Sequence, residues 1–299
     1  GEGKLEPVAC QYDSDGLASG ELTLGVPPAD VATRVRVYFT SEGPRWEDAA
    51  VTGAVKVTRE GRAFVVDNGF VRVCHDPAKQ AGLPSRWEFV KTGKIFEQFN
   101  NNDRVYNETL GSQSLRNCPD PKVGVVVEGP LRTVVRVSAY YADAGGQQPD
   151  SRPRAVYEYS YFAGSPYILV RGHMEQEEAF SWDELHFIEI NFPGTDFTHW
   201  ASSDGRGELK ADKQSILGRG WAALLNGPEG PAVLGLVDEG ARVYDGRGEY
   251  GTYLHGPWVR WDTTERNFEV ALYASDAPGG LSDLAEAGAS MPRPGEAYV

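Results

Sequence analysis

At 299 residues, with 40% hydrophobic and 24% charged residues, the chain is long enough for one large or two modest domains and can build an ordinary core. A formal net charge of -14 and the lack of any Lys/Arg run exclude the basic face of a nucleic-acid binder. No apolar stretch is long enough to span a membrane, and 35 Gly with 19 Pro favour short strands and tight turns over long helices.

The first 60 residues read as a small β module. Leu22, Leu24 and Val26, then Val35, Val37 and Phe39, alternate with polar residues, the period of a half-buried strand. Asp13-Ser14-Asp15-Gly16 reads as a turn rather than a calcium loop, because Gly16 falls too early and Leu17 occupies a ligand position. Phe64-Val65-Val66 and Phe70 to Val73 flank Asp67-Asn68-Gly69, a strong hairpin signal, and Thr92-Gly93 marks a second hairpin. The polar run Phe99 to Asn107 reads as a loop or sheet edge.

From Gly124 the strands lengthen. Val125 to Glu128, Thr133 to Tyr141, Ala155 to Phe162, Tyr167 to Glu175 and Leu185 to Phe192 are each expected to be one strand. Trp221 to Leu225, Ala232 to Val237, Val243 to Tyr244, Tyr250 to Leu254 and Phe268 to Tyr273 follow. Only Leu281 to Ala287 reads as helix, and the Gly/Pro/Ala-rich tail reads as a linker, so further domains of a longer chain are expected. The expected architecture is all-β: a small N-terminal β module (1–60), a large two-sheet β-supersandwich (61–275) and a short helix with a linker-like tail (276–299).

Gly1 reads as a processed or trimmed start, and the expected location is secreted or extracytoplasmic. Cys10, Cys74 and Cys118 fit no zinc spacing; one disulfide with a free thiol, or three thiols, are both open.

Four segments carry a family resemblance: Phe64 to Val73 followed by Trp87-Glu88-Phe89, Glu128 to Val137, Tyr157 to Tyr167, and Trp221 to Gly227. Their order resembles the β-supersandwich of the galactose mutarotase-like superfamily, most closely the central β-sandwich of rhamnogalacturonan exolyase-like proteins, over roughly residues 60 to 275. The resemblance implies a carbohydrate-active protein whose partner is a polysaccharide or oligosaccharide. These lyases carry a helical toroid beside the sandwich, which this chain lacks; that leaves open whether it cleaves alone.

Three segments could carry chemistry. Arg171, His173 and Glu175 would share one strand face, as would Glu184 and His186 on a following strand, with Asp183 and Glu189 opposite. Paired as a hairpin, these two strands would gather His, Glu and Arg on one face. β-Elimination on a uronic-acid glycan needs a carboxylate neutraliser (Arg171), a base (His173 or His186) and an acid (Tyr161 or Tyr253). Hydrolysis would use two carboxylates, with Glu175 and Glu184 as the pair. No cofactor is required, but calcium or another divalent metal could sit on His173, Glu175 and His186. The competing reading of the whole segment is a solvated, ion-paired surface.

The second segment, Tyr253 to Trp261, offers His255, Trp258 and Arg260 for a sugar subsite, against burial of Trp258 and Trp261 in the core. The third, Asn101 to Tyr106, offers amides and the Asp103 carboxylate for pyranose hydroxyls, with Asn102 and Arg104 as the binding candidates, against a self-bonded turn. His199 could line the same cleft. The leading function is a polysaccharide lyase; a non-catalytic carbohydrate-binding or scaffold domain and a glycoside hydrolase are the alternatives. The acidic charge favours the alternatives unless arginines gather locally into a positive pocket.

Overall fold

The structure, a computed structural model, describes residues 9–14, 20–25, 51, 53–228, 232–277 and 280–290. Strand makes up 56% of it and helix 6%, in five sheets with one helix, so the fold is all-β. The expected strand Val35 to Phe39, Val26 and most of the N-terminal module lie outside the described residues.

The largest sheet is antiparallel and nine-stranded. Its spatial order is Lys122–Glu128, Arg132–Tyr140, Arg154–Phe162, Tyr167–Glu175, Glu265–Ser275, Val233–Asp238, Gly220–Leu225, His199–Ser202 and Gly205–Glu208. The opposing layer is split into three. A five-stranded sheet holds Lys56–Glu60, Ala63–Asp67, Val71–His75, Pro84–Phe89 and Ile95–Phe96. A second holds Gln214–Leu217, Arg242–Gly246, Gly251–His255, Glu189–Phe192 and Asn100–Asn101. A four-stranded sheet holds Gly111–Ser114, Arg104–Asn107, Trp182–His186 and Trp258–Trp261. Both expected hairpins form, the first with Gly69 at φ 90°, where a side chain would be strained.

Alternation explains the core. Val135, Val137, Tyr157, Tyr159 and Val170 of the large sheet meet Val66, Val73, Trp87, Val105, Leu185, Ile190 and Leu254 of the smaller ones in one hydrophobic cluster. His75 lies inside it. Its Nδ1–H donates to Gly82 O at 2.8 Å, and its Nε2 accepts from the Tyr161 hydroxyl at 2.6 Å. Burial pushes this imidazole down to about 4.

On the other face of the large sheet, Trp221, Ala223 and Leu225 point to the helix Gly280–Ser290, while Ala222 and Leu224 point to the main core. A Cβ at Gly235 would lie 2.5 Å from Leu284, so the missing side chain lets the helix approach. The hairpin Ala9–Ser14/Gly20–Gly25 is tied to the large sheet: the Gln11 carboxamide bonds Leu131 N, Arg132 N and Arg132 O, and Arg132 pairs with Asp13 and Glu21. Cys10, Cys74 and Cys118 are all free thiols. No helix among the described residues is long and apolar enough to cross a membrane.

Two expectations of pairing are corrected here. Tyr167–Glu175 does not form a hairpin with the next strand; it pairs with Arg154–Phe162 and Glu265–Ser275. Leu185 to Phe192 is not one strand either. It breaks after His186, turns at Ile188 (φ 56°) and resumes at Glu189 in another sheet. A left-handed β-branched residue costs of order 1–3 kcal/mol, and nothing in local propensity announces it.

Candidate functional site at the seam of two sheets

The chain crosses between the four-stranded sheet and the second five-stranded sheet three times: at residues 102–103, 187–188 and 256–257. The crossings lie side by side and are laced by backbone bonds. Asn102 N donates to Glu189 O (2.7 Å), Phe187 N to Pro257 O (3.0 Å) and Gly256 N to Ile188 O (2.8 Å). A Cβ at Gly256 would sit 2.6 Å from Phe187 O, so the close approach requires glycine. Phe187 anchors the seam in the core, stacked on Phe268 at 5.0 Å.

Asp103 pins the turn at Ile188. Its Oδ1 accepts from Ile188 N and from the Tyr157 hydroxyl, both at 2.7 Å, and its Oδ2 accepts from Glu189 N at 3.4 Å. Burial pushes its carboxyl up to about 6, against the pull of these donors. The turn at Ile188 shifts side-chain alternation by one step. A continuous strand would put His186 and Glu189 on opposite faces; the break puts them on the same one.

The outer face of the seam carries Arg104, Tyr106, Glu184, His186, Trp258 and Arg260 from one sheet. From the other come Glu189, Tyr253, His255, Arg242 and Tyr244. Cross-strand register sets the neighbours: Glu189 opposite His255, His186 opposite Trp258, Glu184 opposite Tyr106 and Arg242 opposite His255. Interleaved residues Val105, Leu185, Ile190, Val243 and Leu254 face the core.

Glu189 is the hub. Its Oε2 meets His186 Nδ1 and, at 2.8 Å, His255 Nε2; its Oε1 meets Asn102 Nδ2 and, at 3.1 Å, Arg104. Its side chain is 2% exposed, as is that of His186, and His255 is 7% exposed. Burial pushes the Glu189 carboxyl up, but the bonds from His186 and His255 outweigh it and hold the group well below the usual carboxylate range. His186 Nε2 faces Glu184 Oε2 at 2.9 Å, and Arg104 reaches the same oxygen at 3.4 Å. The Trp258 indole, 46% exposed, lies 5.1 Å from the His186 ring and 5.7 Å from the His255 ring, with the Arg242 guanidinium 5.6 Å from its own centroid. Tyr253 is half-buried beside the cluster. Burial, with the nearby Glu189 charge, pushes its hydroxyl up.

The structure thus brings Asn102, Arg104, Glu184, His186, His255 and Trp258 to one face, with Arg260 at its margin, bonded to Ser181 at 2.8 Å. Trp261, by contrast, is a core residue. Arg171, His173 and Glu175 stand elsewhere, on the outer face of the nine-stranded sheet. There Arg171 pairs with Glu269, His173 with Asn267 and Glu175 with Arg154, so the expected metal set His173/Glu175/His186 is divided between two sheets. Tyr161 is fully buried against His75, and its hydroxyl is pushed well above its ordinary value by burial, so it cannot reach a substrate. His199 lies in the nine-stranded sheet and bonds Thr198 at 2.9 Å. The sequence places Glu189 on the face opposite His186 and offers the Asp103 carboxylate to pyranose hydroxyls; the structure instead makes Glu189 the hub and buries Asp103 beneath it. A Glu beside a His on one strand signals opposite faces, and only the sheet switch joins them.

No protein-family model matches the chain, and no curated protein matches it in sequence. Solved structures match its fold. The GH36 α-galactosidase AgaB from Geobacillus stearothermophilus is 13% identical, with a TM-score of 0.52, over 77% of this chain and 42% of that one. A TPR-domain containing protein from Parabacteroides distasonis is 11% identical, TM-score 0.50, over 79% and 50%. A putative aldose 1-epimerase from Klebsiella pneumoniae is 9% identical, TM-score 0.47, over 79% and 86%. The likeness is one of fold. This chain spans half or less of the α-galactosidase and TPR-domain chains.

Proposed function

We propose that the chain is a carbohydrate-active domain whose seam face binds a uronic-acid-containing glycan and cleaves it by β-elimination. The observation that carries this reading is the face of arginine, histidine and tryptophan built on Glu189. The Arg242 guanidinium lies over the half-exposed Trp258 ring, and Arg104 stands on the same face paired with Glu184 and Glu189, in a protein whose net charge is -14. A flat indole suits stacking on a pyranose ring. Two guanidiniums suit its carboxylate, and neutralising that carboxylate is what makes the C5 proton acidic. The fold shared with an α-galactosidase structure supports a sugar ligand without fixing the reaction.

The roles follow from exposure. His186 is buried and both ring nitrogens face carboxylates, so it does not take the proton itself. Glu184, half-buried at the surface and backed by His186, receives the C5 proton. Tyr253, which keeps its proton to high pH, returns one to the leaving oxygen. Paired-carboxylate hydrolysis is less well supported: of the two carboxylates in the network only Glu184 reaches the surface, while Glu189 is covered on both oxygens. Sugar binding without cleavage is the second reading, favoured by how fully the network's polar groups are already committed to one another.

The test is incubation with a panel of uronic-acid polysaccharides, following the ultraviolet absorbance of the unsaturated uronate and, in parallel, reducing ends. Rising absorbance that Tyr253→Phe and Glu184→Gln abolish is the expected result. Reducing ends without absorbance would replace elimination by hydrolysis. Silence in both assays, with retained binding, would leave a binding domain.

A further inference from the structure

We propose that His186 Nδ1, Glu189 Oε2 and His255 Nε2 form a binding site for a divalent transition metal of the zinc class. The three donor atoms lie within 4.8 Å of one another, and all three residues are buried. Two imidazole nitrogens and one carboxylate oxygen are a donor set that zinc takes at about 2.0–2.2 Å, with a fourth position left for a further ligand.

The surroundings of the three donors support the assignment independently. Ligating histidines characteristically donate their remote ring N–H to a carboxylate or a backbone carbonyl. His186 turns its remote Nε2 to Glu184 Oε2 at 2.9 Å, and His255 turns its remote Nδ1 to Gly256 O at 3.1 Å. The remote oxygen of Glu189 is held by Arg104 at 3.1 Å and by Asn102. Every outward atom of the trio is therefore fixed by an outer partner, and His186 Nδ1 and His255 Nε2 both converge on Glu189 Oε2.

Donor counting is compatible with the same site, as it is with doubly protonated rings that donate on both sides. A neutral imidazole carries one N–H and one lone pair. Each of the two rings faces acceptors on both sides, so a neutral ring leaves one acceptor facing a lone pair. An ion at the convergence point removes the conflict in both rings at once, because each keeps its N–H for the outer acceptor and gives its lone pair to the metal. The rings sit 5.0 Å apart under the Trp258 indole, which limits entry of water.

The site stands whether or not the face cleaves a glycan, so its test is metal binding. The chelator-stripped protein is titrated with zinc(II) and separately with cobalt(II), reading metal content after desalting and the visible ligand-field bands of cobalt. One equivalent retained, with bands of a low-coordinate nitrogen/oxygen site, is expected. His255→Gln and Glu189→Gln are expected to lose retention, and Glu184→Gln to weaken it by about 10- to 100-fold through the outer contact. His173→Gln, on the other sheet, controls for adventitious surface binding and is expected to change nothing. Because Glu189→Gln could fail to fold, thermal unfolding of the native protein with and without zinc is read alongside, and a zinc-dependent rise is expected. No stoichiometric retention by the folded native protein, or retention unchanged in His255→Gln, would overturn the proposal.

Discussion

Two faces of this molecule have nearly the same composition and opposite construction. The outer face of the nine-stranded sheet carries Arg136, Glu158, Arg171, His173, Glu175 and Glu269. The seam carries Arg104, Glu184, His186, Glu189, His255 and Arg242. On the first, charges pair across strands in the open: Arg171 and Glu269 are each about half exposed. On the second they converge on one carboxylate that water barely reaches. Open pairs are worth roughly 0–1 kcal/mol, whereas a buried, multiply bonded carboxylate is costly to disturb. Clustered His, Glu and Arg therefore say little until it is known whether the backbone keeps them on a flat sheet or folds them over a seam.

The sharpest way to break the comparison is Glu189→Ala. It leaves His186, His255 and Arg104 without their shared partner, and a loss of about 3–5 kcal/mol in urea unfolding is expected. Asp103→Ala follows. It strands Ile188 N–H, Glu189 N–H and the Tyr157 hydroxyl, at about 1–3 kcal/mol for each fully buried group, and glycan binding should fall with it because the turn at Ile188 loosens.

The core contributes a pH signature of its own. His75 is held down at about 4 from an ordinary 6.5, so it stabilises the fold above 6.5 and that contribution is lost as pH falls towards 4. Between those limits native stability should drop by on the order of 3 kcal/mol more than that of His75→Gln, read as the difference between two urea-unfolding series. Asp103, raised to about 6, acts in the opposite sense. It favours the fold below about 4, and that contribution is lost as pH rises through 6, which is why the difference between variants, not the native curve, is the quantity to read.

Smaller effects discriminate the faces. Trp258→Ala should cost about 2 kcal/mol of glycan affinity, roughly 30-fold, with little change in stability because the indole is half exposed. Arg171→Ala should do least, within about 0.5 kcal/mol in stability and with no change in binding.

Much of the fold was legible because alternation is a local property. The runs from Thr133 to Glu175 and the Asn68-Gly69 turn could be read residue by residue. The split of the opposing layer into three sheets could not, since it depends on which distant strands pair. At the site, the sequence marks three segments, 101–106, 171–189 and 253–261, of which only the 183–189 part of the second joins the other two. Their convergence depends on three side-by-side crossings, and these depend on Ile188 adopting a positive φ and on Gly256 admitting Phe187 O, neither of which has a local signature. The same blindness placed Arg171 and His173 beside His186, because a hairpin between consecutive strands is the natural guess; here Tyr167–Glu175 pairs with the strand before it and with the distant Glu265–Ser275, and Trp182–His186 pairs with the distant Arg104–Asn107 and Trp258–Trp261.

The most direct test of the seam as the functional face is calorimetric titration of a uronic-acid oligosaccharide into the native protein, Arg104→Ala and Arg171→Ala. Binding lost in Arg104→Ala and kept in Arg171→Ala is the predicted result. Binding kept in Arg104→Ala and lost in Arg171→Ala would move the site to the nine-stranded sheet and contradict the account.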